Sequence, residues 1–278
     1  MQLRKTQMSH LGLRTARLDA MAAFYEDALG LTVHDAPAGG GLRLGWGRGH
    51  HVLELLPGDA PALDHYGLEV RDDRALDEIR AAANGGATPL EQLDGFELRD
   101  PDGNRVQLHG RVDRSGETEI RPGRRPQRMQ HVTVASKQVA AVAQWYVDVL
   151  GFRVSDVMGD AFMWLRCGPE HHTVAAVDSG AAGGMDHYAY EIASWEDFKL
   201  WCDRLSGMDV PIAWGPGRHG PGNNLFIMFD DPDGNHVELS AELENFWDDT
   251  ASYDPPRSWV PGPRTTNLWG GPPAPWRR

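Results

Sequence analysis

Twelve histidines in 278 residues are the first feature with chemical content. Among them His131 and His187, with Glu238, form a set that a divalent transition metal would accept as ligands. Two neutral imidazoles and one carboxylate leave three adjacent coordination positions open, the arrangement by which non-heme Fe(II) oxygenases bring a bidentate substrate and O2 together. The carboxylate also balances part of the metal's charge. Spread over 108 residues, these three are a weak signal by spacing alone. A second set gives them weight: His10, His65 and Gln107 stand at the equivalent points of the first half of the chain. An amide is a poorer ligand than a carboxylate for a hard divalent ion, so the first set is expected to be metal-free, with structural histidines. A second site that uses Gln107 is the alternative.

The equivalence comes from an internal repeat. The segment HLGLRTARLDAMAAFYEDALGLTVHD, from His10, aligns without a gap to HVTVASKQVAAVAQWYVDVLGFRVSD, from His131, with nine of 26 positions identical. His50 and His51 pair with His171 and His172 at the same offset of 121, Asp64-His65-Tyr66 with Asp186-His187-Tyr188 at 122, and DPDGNRVQL with DPDGNHVEL at 131. Two long copies indicate a duplicated domain rather than a solenoid.

Within a copy, residues 130–135 alternate and read as a strand, with His131 and Thr133 on one face. Val139, Val142, Tyr146 and Val149 recur at helical spacing, and Gly151 follows where the helix must end. Short strand patterns at 152–157, 161–166 and 171–177 complete a βαβββ unit. The cycle restarts with a strand through His187, a helix over 195–206 and strands ending in 224–230 and 235–240, with the Pro232-Asp233-Gly234 turn between the last two. Parity allows His187 and Glu238 to share a face with His131. The expected fold is α+β: two tandem domains, each of two βαβββ units, four in all, forming a concave mixed sheet around a metal site. The domains are placed at 1–115 and 128–247, joined by a linker over 111–127, with a Pro- and Trp-rich tail at 248–278. Trp247, Trp259, Trp269 and Trp276 fit no regular stripe and are expected to pack the tail onto the domain, or to form a lid.

Composition narrows the function classes. Forty acidic against 27 basic residues give a formal charge of −13, which argues against nucleic acid or an anionic membrane as partner. No apolar run approaches the ~18 residues of a membrane helix, and the N-terminal residues lack the apolar stretch of a signal peptide. Two cysteines, Cys167 and Cys202, cannot build a disulfide framework and point to a reducing cytoplasm. The DPDGN segments lack the twelve-residue calcium-loop pattern and read as turns.

These motifs resemble the type I extradiol catechol dioxygenases of the vicinal oxygen chelate superfamily, over almost the whole chain. The resemblance is carried by GPGRHGPGNNLFIMFDDPDGNHVEL (215–239), QHVTV (130–134) and HHTVA (171–175). It implies that His131, His187 and Glu238 bind Fe(II), or Mn(II) in some members, in the C-terminal domain. His172 then matches the family's acid/base, with His171 on the opposite side of its strand. His219, in GRHG, matches the histidine that hydrogen-bonds a substrate oxygen, and Trp164 an aromatic pocket wall. The implied reaction inserts both atoms of O2 into a catechol bound through its two oxygens, with His172 moving a proton at the ring-opening step. A homo-oligomer is the family expectation.

Two departures bear on the reaction. Met228 stands where the family carries a tyrosine, and a thioether can neither donate a hydrogen bond nor lose a proton. His219 or Asn224 would then supply the contact, or the reaction differs. Trp214 stands where members that cleave carboxylate-bearing catechols place an arginine. With Trp164, Phe226 and Met228 also assigned to the pocket, an apolar or aryl-substituted catechol is the expected substrate, unless Arg218 or Arg264 meets a carboxylate. Met228 equally suits two rival classes of the superfamily: metal-dependent isomerases or lyases, and proteins that bind an aromatic ligand without chemistry.

Overall fold

A computed structural model describes residues 6–37, 39–83, 85–91, 93–181, 183–246, 255–262, 264–272 and 274–276. The first half runs β1 (Thr6–Thr15), α1 (Leu18–Leu29), β2 (Thr32–Asp35), β3 (Leu42–Gly45) and β4 (Leu53–Pro57). It continues as β5 (Ala62–Val70), α2 (Asp73–Ala82), β6 (Thr88–Pro89), β7 (Gly95–Arg99) and β8 (Arg105–His109). The second half repeats the order with β9 (Arg128–Ala135), α3 (Val139–Leu150), β10 (Arg153–Met158), β11 (Phe162–Arg166) and β12 (Val174–Val177). Then come β13 (Met185–Glu191), α4 (Trp195–Gly207), β14 (Trp214–Arg218), β15 (Leu225–Asp230) and β16 (His236–Ala241). This is βαβββ four times over, as the repeat implies. The strand expected from residue 171 begins at Val174, so His171 and His172 lie just before β12.

Each half makes one mixed sheet. The first is ordered β2-β3-β4-β1-β5-β8-β7-β6, and the second β14-β15-β16-β13-β9-β12-β11-β10, extended by β17 (Arg257–Ser258) from the tail. The two βαβββ units of a sheet meet at an antiparallel pair, β1 with β5 and β9 with β13. The helices form for the reason the periodicity gave: α3 buries Val139, Val142, Ala143, Tyr146 and Leu150 along one stripe. Gly151, at φ +72°, then takes the left-handed conformation that ends the helix.

Large side chains such as Tyr25, Tyr146 and Trp201 are fully covered in the core. Each contributes on the order of 1.5–3 kcal/mol through burial. The halves are joined by buried contacts, among them Tyr25 Oη donating to Asp231 Oδ2 at 2.6 Å and Trp46 edge-on to Tyr190. The same Asp231 builds the turn before β16: its Oδ1 accepts from the backbone N–H groups of Asp233 and Asn235, each at 2.9 Å. Asp100 does the same before β8. Both DPDGN segments are thus turns that launch the strand carrying Gln107 or Glu238.

The tail does not hang free. Arg257 pairs in register with Asp156 at the edge of the second sheet, and Gly220 N–H donates to Thr265 O at 2.9 Å. Trp259 and Trp276 also pack against this half, through Asp156 and His236 respectively. The expected boundary at 247, with Trp247, and the beginning of the tail at 248 lie outside the described residues. No helix among the described residues is long and apolar enough to cross a membrane.

Candidate metal centre

Three adjacent strands, β9, β13 and β16, bring the candidate ligands together. Ala189 of β13 is the register partner of His131 on one side and of Glu238 on the other. His187 lies two residues before Ala189, so strand pleating puts it on the same face. His131 Nε2 lies 3.4 Å and His187 Nε2 3.3 Å from Glu238 Oε2. All three donor atoms fall within 4.8 Å of one another, and all three residues are buried. Ligands on neighbouring corners of a divalent ion with bonds of about 2.1 Å stand about 3 Å apart, so the donor set fits such an ion.

The surroundings prepare each ligand. Asp186 Oδ1 accepts from His187 Nδ1 at 2.6 Å, which fixes the proton on Nδ1 and turns the Nε2 lone pair toward the other two ligands. The Thr133 hydroxyl lies 3.1 Å from that same Nε2. Asn224 Nδ2 donates to Glu238 Oε1 at 2.9 Å and also to Ser240 Oγ. Burial opposes the charge on Glu238, but His131, His187 and the nearby His219 outweigh it and hold the carboxyl far below its usual range. Burial lowers the pKa of His131. It works the same way on His187, where Asp186 and Glu238 reverse the outcome and raise it.

A narrow cavity opens over the ligands, lined by His131, His187 and Glu238 and walled by Phe162, Trp164, His172, His219, Pro221, Met228 and Thr266. His172 enters it beside His131, ring centroids 4.3 Å apart. His171 turns away, its Nε2 3.0 Å from Asp156. Burial and the surrounding His131, His171, His187 and His219 lower the His172 pKa well below the ordinary histidine value. His219 donates from Nδ1 to the backbone oxygen of Thr266 at 2.6 Å and stacks flat on Phe226, 3.9 Å away. Its Nε2 lies 3.9 Å from Glu238 Oε1.

The structure separates the residues assigned to the pocket. Trp164 and Met228 are on its wall, Trp164 stacked on Phe162 at 3.9 Å. Three others are not. Phe226 and Trp214 stand behind His219 in an apolar cluster with Ala274, and Asn224 is engaged by Glu238. Trp214 pairs with Met228 and Met228 with Glu238, so these residues share one sheet face, and it is the His219 ring, stacked on Phe226, that screens Phe226 and Trp214 from the cavity. Neither Arg218 nor Arg264 lines the cavity: Arg218 pairs with Glu242, and Arg264 donates to Leu268 O. Phe162, Pro221 and Thr266 were not anticipated. Phe162 was within reach by strand parity with Trp164; Thr266 belongs to the aperiodic tail.

The first sheet arranges its copy differently. His10 Nε2 lies 3.0 Å from Gln107 Oε1, and Asp64 holds His65 Nδ1 at 2.9 Å, as Asp186 holds His187. The rings lie down on glycines: a Cβ on Gly67, the counterpart of Ala189, would meet His10 Cε1 at 2.0 Å, and one on Gly12, the counterpart of Thr133, would meet His65 Cε1 at 2.3 Å. His65 Nε2 faces Glu54 Oε2 at 3.6 Å. Over this face lies an open groove of about 710 Å³.

Each half of the chain matches a known domain family. Residues 128–239 match the Glyoxalase/Bleomycin resistance protein/Dioxygenase superfamily and residues 10–109 a Glyoxalase-like domain. The chain is 24% identical to a manganese-dependent 2,3-dihydroxybiphenyl 1,2-dioxygenase of Geobacillus genomosp. 3, over 92% of this chain and 88% of that one. It is 26% identical to an iron-dependent extradiol dioxygenase of Rhodococcus jostii, over 97% and 94% respectively. Among solved structures it superposes on a Mn(II)-bound glyoxalase from Novosphingobium aromaticivorans with a TM-score of 0.86 and 29% identity, covering 98% of this chain and 93% of that one.

Proposed function

The chain belongs to the glyoxalase/bleomycin resistance protein/dioxygenase superfamily, and from that premise we propose that it is an extradiol dioxygenase that opens the ring of an apolar or aryl-substituted catechol with Fe(II) or Mn(II). The observation that carries this reading is the convergence of His131, His187 and Glu238 at the base of a cavity that also receives His172 and His219. An ion held by those three would lower the pKa of a catechol hydroxyl and mediate electron transfer between the ring and O2. The relatives named for extradiol cleavage, one manganese-dependent and one iron-dependent, support the same chemistry.

The protein's own groups divide the remaining work. His172 is kept neutral by burial and by its histidine neighbours, so it can take a proton within the cavity and return it. His219 commits its Nδ1 proton to Thr266, which leaves Nε2 as an acceptor for a substrate hydroxyl. Phe226 fixes the plane of that imidazole. Phe162, Trp164, Pro221 and Met228 give a mostly apolar wall that excludes water and suits an aromatic ring. Among the described residues, no lysine or arginine lines the cavity, which favours substrates without a carboxylate.

One observation favours a second reading, an O2-independent metal-dependent isomerase or lyase: the similar solved structure named a glyoxalase. Met228, which brings no hydroxyl to the cavity, is compatible with it. An oxygen electrode and an absorbance trace separate the two. Fe(II)- or Mn(II)-loaded protein is offered catechol, an alkylcatechol, an aryl-catechol and a carboxylate-bearing catechol, with metal-free protein as control. Stoichiometric O2 uptake with a yellow ring-opened product, strongest for the apolar catechols, is the expected result. No uptake across that panel with the metal bound sinks the dioxygenase reading.

A further inference from the structure

Behind His172 lies a buried chain of polar groups that the reaction just described does not use. Asp156 and His171 are fully covered, and His172 is 4% exposed. His171 Nδ1 lies 2.9 Å from His172 Nδ1, and His171 Nε2 lies 3.0 Å from Asp156 Oδ2. Two nitrogens at 2.9 Å require one proton between them, so each ring constrains the other. The Asp156 carboxylate can only accept, and it is well supplied: Arg257 donates from Nε at 2.7 Å to Oδ1 and from Nη2 at 3.1 Å to Oδ2, and Trp259 Nε1 donates at 2.7 Å to Oδ2. Burial opposes its charge, but His171 and Arg257 outweigh that and lower its pKa.

Proton placement follows step by step. His171 Nε2 stands 3.0 Å from the Asp156 carboxylate, whose negative charge favours a proton on that nitrogen over a lone pair. Burial keeps His171 neutral, so its Nδ1 is a lone pair. His172 must then donate from Nδ1, which leaves its own Nε2 unprotonated. Resting on the reading of His172 as the group that moves a proton, we propose that Asp156 and His171 are positioning residues. They fix His172 in the Nδ1–H tautomer, so that it meets the substrate as a proton acceptor.

The internal repeat supplies a contrast. Asp35, His50 and His51 are the same residue types at the same offset, yet no such chain forms. Asp35 is exposed and pairs with Arg43, and His50 Nε2 lies 3.1 Å from the backbone oxygen of Ser9. What differs is the tail: β17 lays Arg257 beside Asp156 in the second sheet, whereas among the described residues β2 is the edge strand of the first. The backbone of His171 is also pinned, by Ser155 Oγ donating to its carbonyl at 2.6 Å and by its own N–H donating to Glu244 O at 2.8 Å. The relay therefore exists only in the half with the carboxylate ligand.

Long-range 1H–15N correlation spectra of metal-free protein labelled at histidine read the tautomer directly, with His172 assigned by its loss in His172→Gln. The wild type should show His172 protonated at Nδ1. His171→Leu should abolish that preference. His171→Gln should keep it, because the amide can donate to Asp156 and accept from His172. In metal-loaded enzyme, Asp156→Asn and His171→Leu should each lower kcat about a hundredfold with KM and bound metal nearly unchanged, and His171→Gln should recover most of the loss. An Nε2–H tautomer in the wild type, or a His171→Leu variant that matches it in both tautomer and kcat, overturns the relay. If Asp156→Asn fails to fold, the two His171 variants decide. Should the wild type consume no O2 with any catechol while His171→Leu alone loses the Nδ1–H signal, the dioxygenase reading falls and the relay stands.

Discussion

Asn224 holds Glu238 from behind: its Nδ2 donates to Oε1 at 2.9 Å, leaving Oε2 as the oxygen that both His131 and His187 approach. A carboxylate free to rotate would have to be reoriented each time metal binds. Asn224→Ala should therefore weaken metal affinity about 10- to 100-fold, read by competition with a chelator, without altering the fold. Unchanged affinity would mean that the carboxylate is held well enough by its strand alone.

The two halves offer a reciprocal exchange. Glu238→Gln gives the second sheet the donor set of the first and should remove most of the bound metal after dialysis. Gln107→Glu gives the first sheet a carboxylate beside His10, whose Nε2 lies 3.0 Å from the present amide oxygen. Metal analysis should then approach two equivalents per chain. One equivalent in that variant would show that the rings of His10 and His65, lying on Gly67 and Gly12, cannot rise to meet an ion.

His172 lines the cavity but does not belong to the ligand set. His172→Phe should lower turnover by about 10²–10⁴ while metal content stays at the wild-type level. Loss of metal in this variant would instead make His172 part of the binding site.

Acid should destabilise the fold through the buried histidines of the first sheet. His50 is lowered to about 3, and His10, His51 and His109 are lowered too, burial being the largest cause in each case. A histidine with a folded pKa below its unfolded value of ~6.5 contributes stability that is present above that value. It is lost as pH falls toward the folded pKa. Each such residue adds about 1.4 kcal/mol per pH unit to the slope in that window. Urea melts at pH 7, 6 and 5 should show this decline, and His50→Gln should make it shallower; a flat profile would mean that these rings are protonated in the folded protein.

The fold was legible because the chain states it twice. A strand, a helix ended by Gly30 or Gly151 and a DPDGN turn recur at nearly constant offsets, so ambiguity in one copy is resolved by the other. The same repetition drew attention to His131, His187 and Glu238, each shadowed by His10, His65 or Gln107. The pocket wall was harder to read. Trp214 and Phe226 share the sheet face of Met228 and Glu238, but the His219 ring stacks on Phe226 and comes between both residues and the cavity. Thr266 reaches the cavity from a proline-rich segment with no period to follow, and its contact with His219 spans 47 residues of separation. Long-range contacts of that kind leave no local pattern.

The placement of Arg257 and Trp259 has a consequence for biosynthesis. Both residues leave the ribosome after the strands that carry the three metal ligands, so the ligand set can be complete while Asp156 still lacks its cationic partner. On the roles proposed above, His172 would reach its final surroundings later than the three candidate ligands. Order along the chain thus sets the three candidate ligands ahead of the Asp156–Arg257 pair that would align His172.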